Sequence, residues 1–204
     1  MKSHRIVVFG DSITWGANDT QGGWVHKLKL DLEKNDNLDY SVYNCGVSGN
    51  NTRDVLKRFK IENEARYFEG NDEHIVAFAI GINDSSKHNK NNKYHVPLEE
   101  FKENMDKLIQ QAQELSTRVI IVGLTSVDES KTTPVPWIST VSYYQDNIEV
   151  YNSALQEIAQ NYNLEFIDML TIVSTKNLED GLHPNNLGHK EMYLKVKEHL
   201  LNYQ

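Results

Sequence analysis

Short runs of β-branched and apolar residues, separated by longer stretches with helical periodicity, narrow the possible folds of this chain more than any other feature. The runs are Arg5 to Phe9, Tyr40 to Tyr43, His74 to Ile80, Arg118 to Val122 and Leu164 to Ile167. Each is nearly continuous in apolar residues, as expected of a strand buried on both faces and not of one with a wet side. Between and after them lie amphipathic stretches at Trp24 to Leu32, Thr52 to Phe68, Leu98 to Leu115, Tyr143 to Gln160 and Asn186 to Leu201. In the third of these, Phe101, Met105, Leu108, Ile109, Ala112 and Leu115 recur at the spacing of one helix face, which marks them as core. Alternation of strand and helix with short connections predicts right-handed crossovers and a three-layer α/β/α sandwich around a five-stranded parallel sheet. At 204 residues without a repeat or a linker, the chain reads as a single domain over 1–204, long enough to bury roughly 70% of the surface of its unfolded chain.

In an open parallel sheet, ligands bind beyond the carboxyl ends of the strands, so the residues that follow each run carry the functional information. Gly10-Asp11-Ser12 follows the first run, Asn44-Cys45-Gly46-Val47-Ser48-Gly49-Asn50 ends the second, and Gly81-Ile82-Asn83-Asp84 ends the third. Gly10 permits a tight turn. Asp180-Gly181-Leu182-His183, after the fifth run, can reach the same edge of the sheet. A serine hydroxyl is a poor nucleophile until an imidazole takes its proton, and that imidazole works best when a carboxylate fixes its tautomer. Asp180 and His183 meet this need within one turn, with Ser12 as the hydroxyl. Acyl transfer also places negative charge on a carbonyl oxygen, for which a backbone amide at Gly49 and the side-chain amide of Asn83 are suitable donors.

Other residues take plainer readings. Asp11 can accept backbone amides at its turn, Asp84 braces the loop, and His189, in the last helix, reads as a surface residue. Histidines 4, 26, 74, 88, 95 and 199 show no paired spacing and read as bystanders. Ser48 lacks the Gly-x-Ser-x-Gly frame of an α/β-hydrolase elbow. No compact His/Glu pair marks a zinc site, so neither metal nor cofactor is expected. Two loops, Ser85 to Val96 and Thr125 to Thr140, directly follow strands and are candidate pocket rims; Val135 and Trp137 in the second are candidate substrate-binding residues. Aromatic residues near Pro134 to Tyr144 leave a homo-oligomer contact open.

Composition removes several classes of function. With 29 acidic against 21 basic residues the formal net charge is -8, which repels a phosphate backbone or an anionic membrane, so neither nucleic acid nor stable membrane association is expected. The lone cysteine, Cys45, reads as a buried thiol and fits a reducing compartment. The apolar runs Ile6 to Phe9 and Ile75 to Ile82 are too short for a signal-peptide core or a membrane span. A cytoplasmic location is the expectation.

Taken together, Gly10-Asp11-Ser12-Ile13, Asn44 to Gly49, Gly81-Ile82-Asn83-Asp84 and Asp180-Gly181-Leu182-His183-Pro184 resemble, in order, the four marker blocks of the SGNH hydrolases, also called GDSL-type esterases and lipases. The resemblance implies a flavodoxin-like fold with Ser12 as nucleophile, His183 as base and Asp180 orienting it. It also implies an oxyanion hole formed by the amides of Ser12 and Gly49 with the Asn83 side chain. Gln21-Gly22-Gly23-Trp24, Asn51-Thr52-Arg53 and His95-Val96-Pro97-Leu98-Glu99-Glu100 are similar to the isoamyl-acetate-hydrolysing branch. Ile13 stands where the motif name has leucine, a volume-conserving exchange. The expected activity is hydrolysis of short-chain esters through an acyl-enzyme. Carbohydrate O-deacetylation, acyl transfer and non-catalytic acyl or sugar binding are the alternatives.

Overall fold

A computed structural model describes residues 4–34, 40–69, 73–116 and 118–202. Its central sheet contains β1 (His4–Gly10), β2 (Tyr40–Gly46), β3 (Glu73–Ala79), β6 (Arg118–Val122) and β8 (Glu165–Ile167), all parallel and ordered β2-β1-β3-β6-β8. These are the five apolar runs, and the continuous hydrophobicity has the anticipated cause: Ile6, Val7, Val8 and Phe9 are all buried, as are Ile75 through Phe78.

Helices cover both faces. On one side α2 (Gly23–Leu32) packs against α7 (Asn186–Asn202), while α3 (Thr52–Glu64), α4 (Leu98–Gln113) and α6 (Gln145–Asn161) form a contiguous row. Along α4, Phe101, Met105, Leu108, Ile109 and Ala112 are buried as the periodicity predicts, with Asn104 buried beside them, whereas Leu115, also read as core, lies past the helix end at Gln113 and is only half-buried. Thr52 begins α3 because Asn51 accepts the Arg53 and Asp54 amides while Asp54 returns a carboxylate to the Asn51 amide, a reciprocal cap of orphan donors. This helix ends at Glu64, before the predicted Phe68. Phe9, Phe59 and Phe78 lock the helix row onto the sheet, with ring centroids 4.8 Å apart for Phe9 and Phe59 and 5.3 Å for Phe59 and Phe78.

The strand order reverses direction between β1 and β3, and ligand crevices of open α/β sheets form at such a switch point. Register delivers the carboxyl ends of these three strands there, because Gly10 pairs with both Gly46 and Ala79. Gly10 is required by close approach: a Cβ on it would lie 2.0 Å from the Thr14 hydroxyl and 2.5 Å from the Ala79 carbonyl oxygen. Arg58 of α3 ties the strand ends together by donating to the Gly10 and Cys45 carbonyls at 3.2 and 2.9 Å and to the Asn50 side chain at 2.9 Å.

The two predicted rim loops are more ordered than their composition implies. Lys87–His88 (β4) and Lys93–Tyr94 (β5) from the first join Val141–Ser142 (β7), just after the second, in an antiparallel sheet ordered β5-β4-β7. The second loop also contains a short helix, α5 (Glu129–Thr132). Two-residue strands are too short to establish an alternation, so no periodic signal announces them. No helix among the described residues is long and apolar enough to cross a membrane.

Candidate active site

Ser12 is the first residue of α1 (Ser12–Trp15), directly beyond β1, and is 8% exposed. Asp11 caps this turn by accepting the Ile13 amide at 2.9 Å. Full enclosure pushes the Asp11 carboxyl up to about 6 against the lowering effect of its hydrogen bonds and of nearby His183. The Ser12 hydroxyl lies 2.8 Å from His183 Nε2, and His183 Nδ1 lies 2.7 Å from Asp180 Oδ2. A carboxylate can only accept, so Nδ1 carries the proton of the neutral imidazole and Nε2 accepts from Ser12.

Asp180 is itself held in place. Its Oδ1 accepts the Leu182 and His183 backbone amides at 3.0 and 2.8 Å, and Oδ2 also accepts Asn18 Nδ2 at 2.9 Å. Partial burial opposes ionisation, yet the hydrogen bonds from the His183 ring and backbone outweigh it and hold this carboxyl well below the usual range. The three-residue spacing therefore makes a turn in which one carboxylate binds both the ring and the backbone of the same histidine.

Ser12 and His183 open into a cavity of about 290 Å³ that Gly49, Asn83, Trp137 and Tyr143 also line, with Ile138, Val141 and Leu182 supplying apolar wall. A larger groove of about 430 Å³ lies beside α2, lined by His26, Lys29 and Asn44 among others, but holds neither Ser12 nor His183. Gly49 has φ +80°, a left-handed conformation that favours glycine, and a Cβ there would meet nothing within 4 Å. Backbone conformation, not crowding, sets the identity of this residue. Asn83 donates from Nδ2 to the Asn50 carbonyl at 2.9 Å and accepts the Tyr143 hydroxyl on Oδ1 at 2.7 Å.

Asp84, next in sequence, points away from the cavity mouth and braces α3, accepting the Thr52 hydroxyl at 2.5 Å and its amide at 3.1 and 3.2 Å. Burial raises the Asp84 carboxyl to about 7.

Three residues sit differently from their sequence reading. His189 is fully buried, not on the surface; Nε2 donates to the Ala17 carbonyl at 2.9 Å and Nδ1 accepts the Trp24 amide at 3.3 Å, fastening α7 to the segment behind Ser12. A histidine at helical spacing gives no local sign of which chain segment will cover it. Val135 is 1% exposed and absent from the cavity lining, whereas nearby Trp137 is 47% exposed with its ring centroid 5.6 Å from that of His183. This rim segment runs in successive turns, not as a strand, and within it Val135 packs into the core while Trp137 stays at the mouth. His95, read as a bystander, lines the cavity and accepts the Asn51 side-chain amide at 3.4 Å. Tyr143 stands in the sequence only as one member of an aromatic cluster, and no local motif distinguishes it. Among the described residues, no group of three or more His, Cys, Asp and Glu side chains is placed to hold a metal ion.

The family model for GDSL-like Lipase/Acylhydrolase matches residues 8–191, spanning the whole of this arrangement from β1 into α7. The chain belongs to that family. It is a carboxylic-ester hydrolase. The isoamyl acetate-hydrolyzing esterase 1 homolog of Homo sapiens is 30% identical over 202 residues, covering 93% of this chain and 78% of the human protein. The GDSL esterase/lipase CPRD49 of Arabidopsis thaliana is 32% identical over 139 residues, covering 61% of this chain and 54% of the plant protein. Among solved structures, the acetylxylan esterase Axe2 of Geobacillus stearothermophilus superposes with a TM-score of 0.74 at 20% identity, covering 97% of this chain and 94% of Axe2. LAE5, from the metagenome of Lake Arreo, gives the same TM-score and identity over 97% of this chain and 95% of its own. At that identity the structural likeness is one of fold. The GDSL-family chain thus carries the family's scaffold with the Ser12, His183 and Asp180 side chains linked in one file.

Proposed function

We propose that this GDSL-family esterase hydrolyses small, short-chain esters through an acyl-enzyme on Ser12. The observation that carries the reading is the continuous hydrogen-bonded file from Ser12 through His183 to Asp180, opening into a cavity at the small end of the range for ligand pockets. His183 Nε2 takes the Ser12 proton as Oγ attacks the ester carbonyl. The resulting oxyanion is received by donors at Ser12, Gly49 and Asn83. Collapse breaks the bond to the alkoxy oxygen, which leaves with the proton held by His183. His183 then takes a proton from water as the water attacks the acyl group, and gives that proton to Ser12 Oγ as the bond to serine breaks and the acid is released.

Ile138, Val141 and Leu182 offer an apolar surface for a short acyl chain. A series of p-nitrophenyl esters from acetyl to dodecanoyl tests the specificity. The highest kcat/KM is expected below about six carbons, on the ground that the cavity is close to the lower limit for ligand sites; a maximum at the longest chains refutes it. Covalent capture of Ser12 by a fluorophosphonate, lost in Ser12→Ala, tests the nucleophile.

A second reading, O-deacetylation of carbohydrate, is favoured by the exposed Trp137 indole beside His183, a flat apolar face on which a sugar ring can rest. Comparison of acetylated xylo-oligosaccharides with p-nitrophenyl acetate, in the native enzyme and in Trp137→Ala, separates the two: loss confined to the sugar ester supports deacetylation.

A further inference from the structure

An asparagine amide has two ends of nearly equal shape, and only the nitrogen end can donate to an oxyanion. Asn83 must therefore be held against rotation about its last side-chain bond. Two contacts do so. The Asn50 carbonyl, 2.9 Å away, can only accept and so demands the nitrogen. On the other end, the Tyr143 hydroxyl donates to Oδ1 at 2.7 Å. With one N–H engaged by Asn50, the second is left to the cavity that Asn83 shares with Ser12.

We propose that Tyr143 is a positioning residue, which locks the Asn83 amide and polarises it so that the free N–H becomes a stronger donor to the developing oxyanion. A hydrogen bond received at the carbonyl end of an amide draws electron density toward oxygen and increases the acidity of the N–H groups, the cooperative strengthening expected of linked bonds in a low-dielectric site. Burial, followed by the nearby Asp11 carboxylate, raises the Tyr143 phenol, so it remains a protonated donor across the working range. The ring is anchored through its own backbone: its amide donates to the Thr132 carbonyl at 3.0 Å and its carbonyl accepts the Thr132 hydroxyl at 2.9 Å. Reversal of the amide would set Oδ1 against the Asn50 carbonyl, two acceptors facing each other, and would present oxygen to the oxyanion.

This inference rests on Asn83 acting as an oxyanion donor in the reaction proposed above, and the test keeps the two apart. With p-nitrophenyl acetate as substrate, Tyr143→Phe is expected to lower kcat about tenfold, near the upper worth of one neutral hydrogen bond, with KM within about twofold because the ring and the cavity wall are retained. Asn83→Ala is expected to lower kcat roughly 100- to 1000-fold. In the Asn83→Ala background, Tyr143→Phe should change kcat by less than about twofold, since Tyr143 acts only through that amide. Site-specific replacement of Tyr143 by 4-aminophenylalanine, which keeps a donor at the same place, should hold kcat within about threefold of the native enzyme, and a tenfold loss there overturns the proposal even where Tyr143→Phe does not fold. An unchanged kcat in folded Tyr143→Phe, or the same tenfold loss with and without Asn83, also overturns it. If Ser12→Ala retains full activity, the parent reading fails instead.

Discussion

Replacement of Asp180 by asparagine probes the file at its outer end, and its cost can be worked from the contacts. The native carboxylate accepts four donors: the Leu182 and His183 amides on Oδ1, and the His183 ring with Asn18 on Oδ2. An amide in its place keeps only one acceptor. Turned with nitrogen toward the backbone, it loses both main-chain bonds and sets two pairs of donors nose to nose. Turned the other way it retains both backbone bonds, and Asn18 alone must move aside. The first orientation keeps two bonds, from the His183 ring and Asn18, whereas the second keeps the two backbone bonds and gains a third to His183 Nδ1 once the ring changes tautomer, so at about 1 kcal/mol per bond the second is favoured. Its NH2 group then faces His183 Nδ1, which becomes an acceptor, so the ring proton moves to Nε2 and points at Ser12. In that tautomer His183 cannot take the serine proton. The same exchange in the Ser-His-Asp triad of serine proteases, where it likewise leaves the imidazole in the wrong tautomer, lowers kcat about 10⁴-fold, or about 5.5 kcal/mol at 1.36 kcal/mol per decade. Asp180 does not line the cavity, so KM should stay within a few-fold. Initial rates on p-nitrophenyl acetate in Asp180→Asn, alongside a thermal melt to verify folding, provide the assay. A folded variant that loses less than tenfold in kcat would show that the carboxylate does not set the tautomer.

Two further outcomes follow from buried groups away from the file. Asp84 has a folded value of about 7 against 3.8 ordinarily, so between about pH 4 and pH 7 the folded state keeps a proton the unfolded state has released, and stability falls as pH rises through that window. In Asp84→Asn this contribution is gone; the stability of the variant relative to the native enzyme should therefore improve from pH 4 to pH 8 in parallel thermal melts, and a gap that widens with pH would contradict the assignment. His189→Ala removes partners from the Ala17 carbonyl and the Trp24 amide and empties a filled site, a loss of about 3 kcal/mol in urea unfolding; a change under 0.5 kcal/mol, the usual span for surface substitutions, would mean the clamp carries no stability.

How much is legible in the sequence differs by element. The five strands and five long helices follow from periodicity because the burial that selects their apolar residues is the burial that positions them. Their ends are less exact: α3 stops at Glu64, short of the predicted Phe68, and the chain unwinds through a last irregular turn in which the Arg66 and Tyr67 amides share the Asn63 carbonyl. The Asp180/His183 turn is readable because both residues and the amides they bind lie within one short segment. The small sheet β5-β4-β7 is not, nor is the burial of Val135, because pairing between distant two-residue strands has no local pattern.

Residue type, order and local period were thus enough to establish the alternating architecture, the family resemblance and the identities of Ser12, Asn83, Asp180 and His183 as candidates. Only the tertiary structure decided that Ser12 and His183, 171 residues apart, stand 2.8 Å from each other, that Tyr143 grips Asn83 across 60 residues, and that His189 lies inside. The physical reason is range. Capping, turns and amphipathic faces depend on neighbours a few residues away, whereas these contacts depend on strand order, crossover hand and the packing of helices onto the sheet, none of which leaves a signature at any single position.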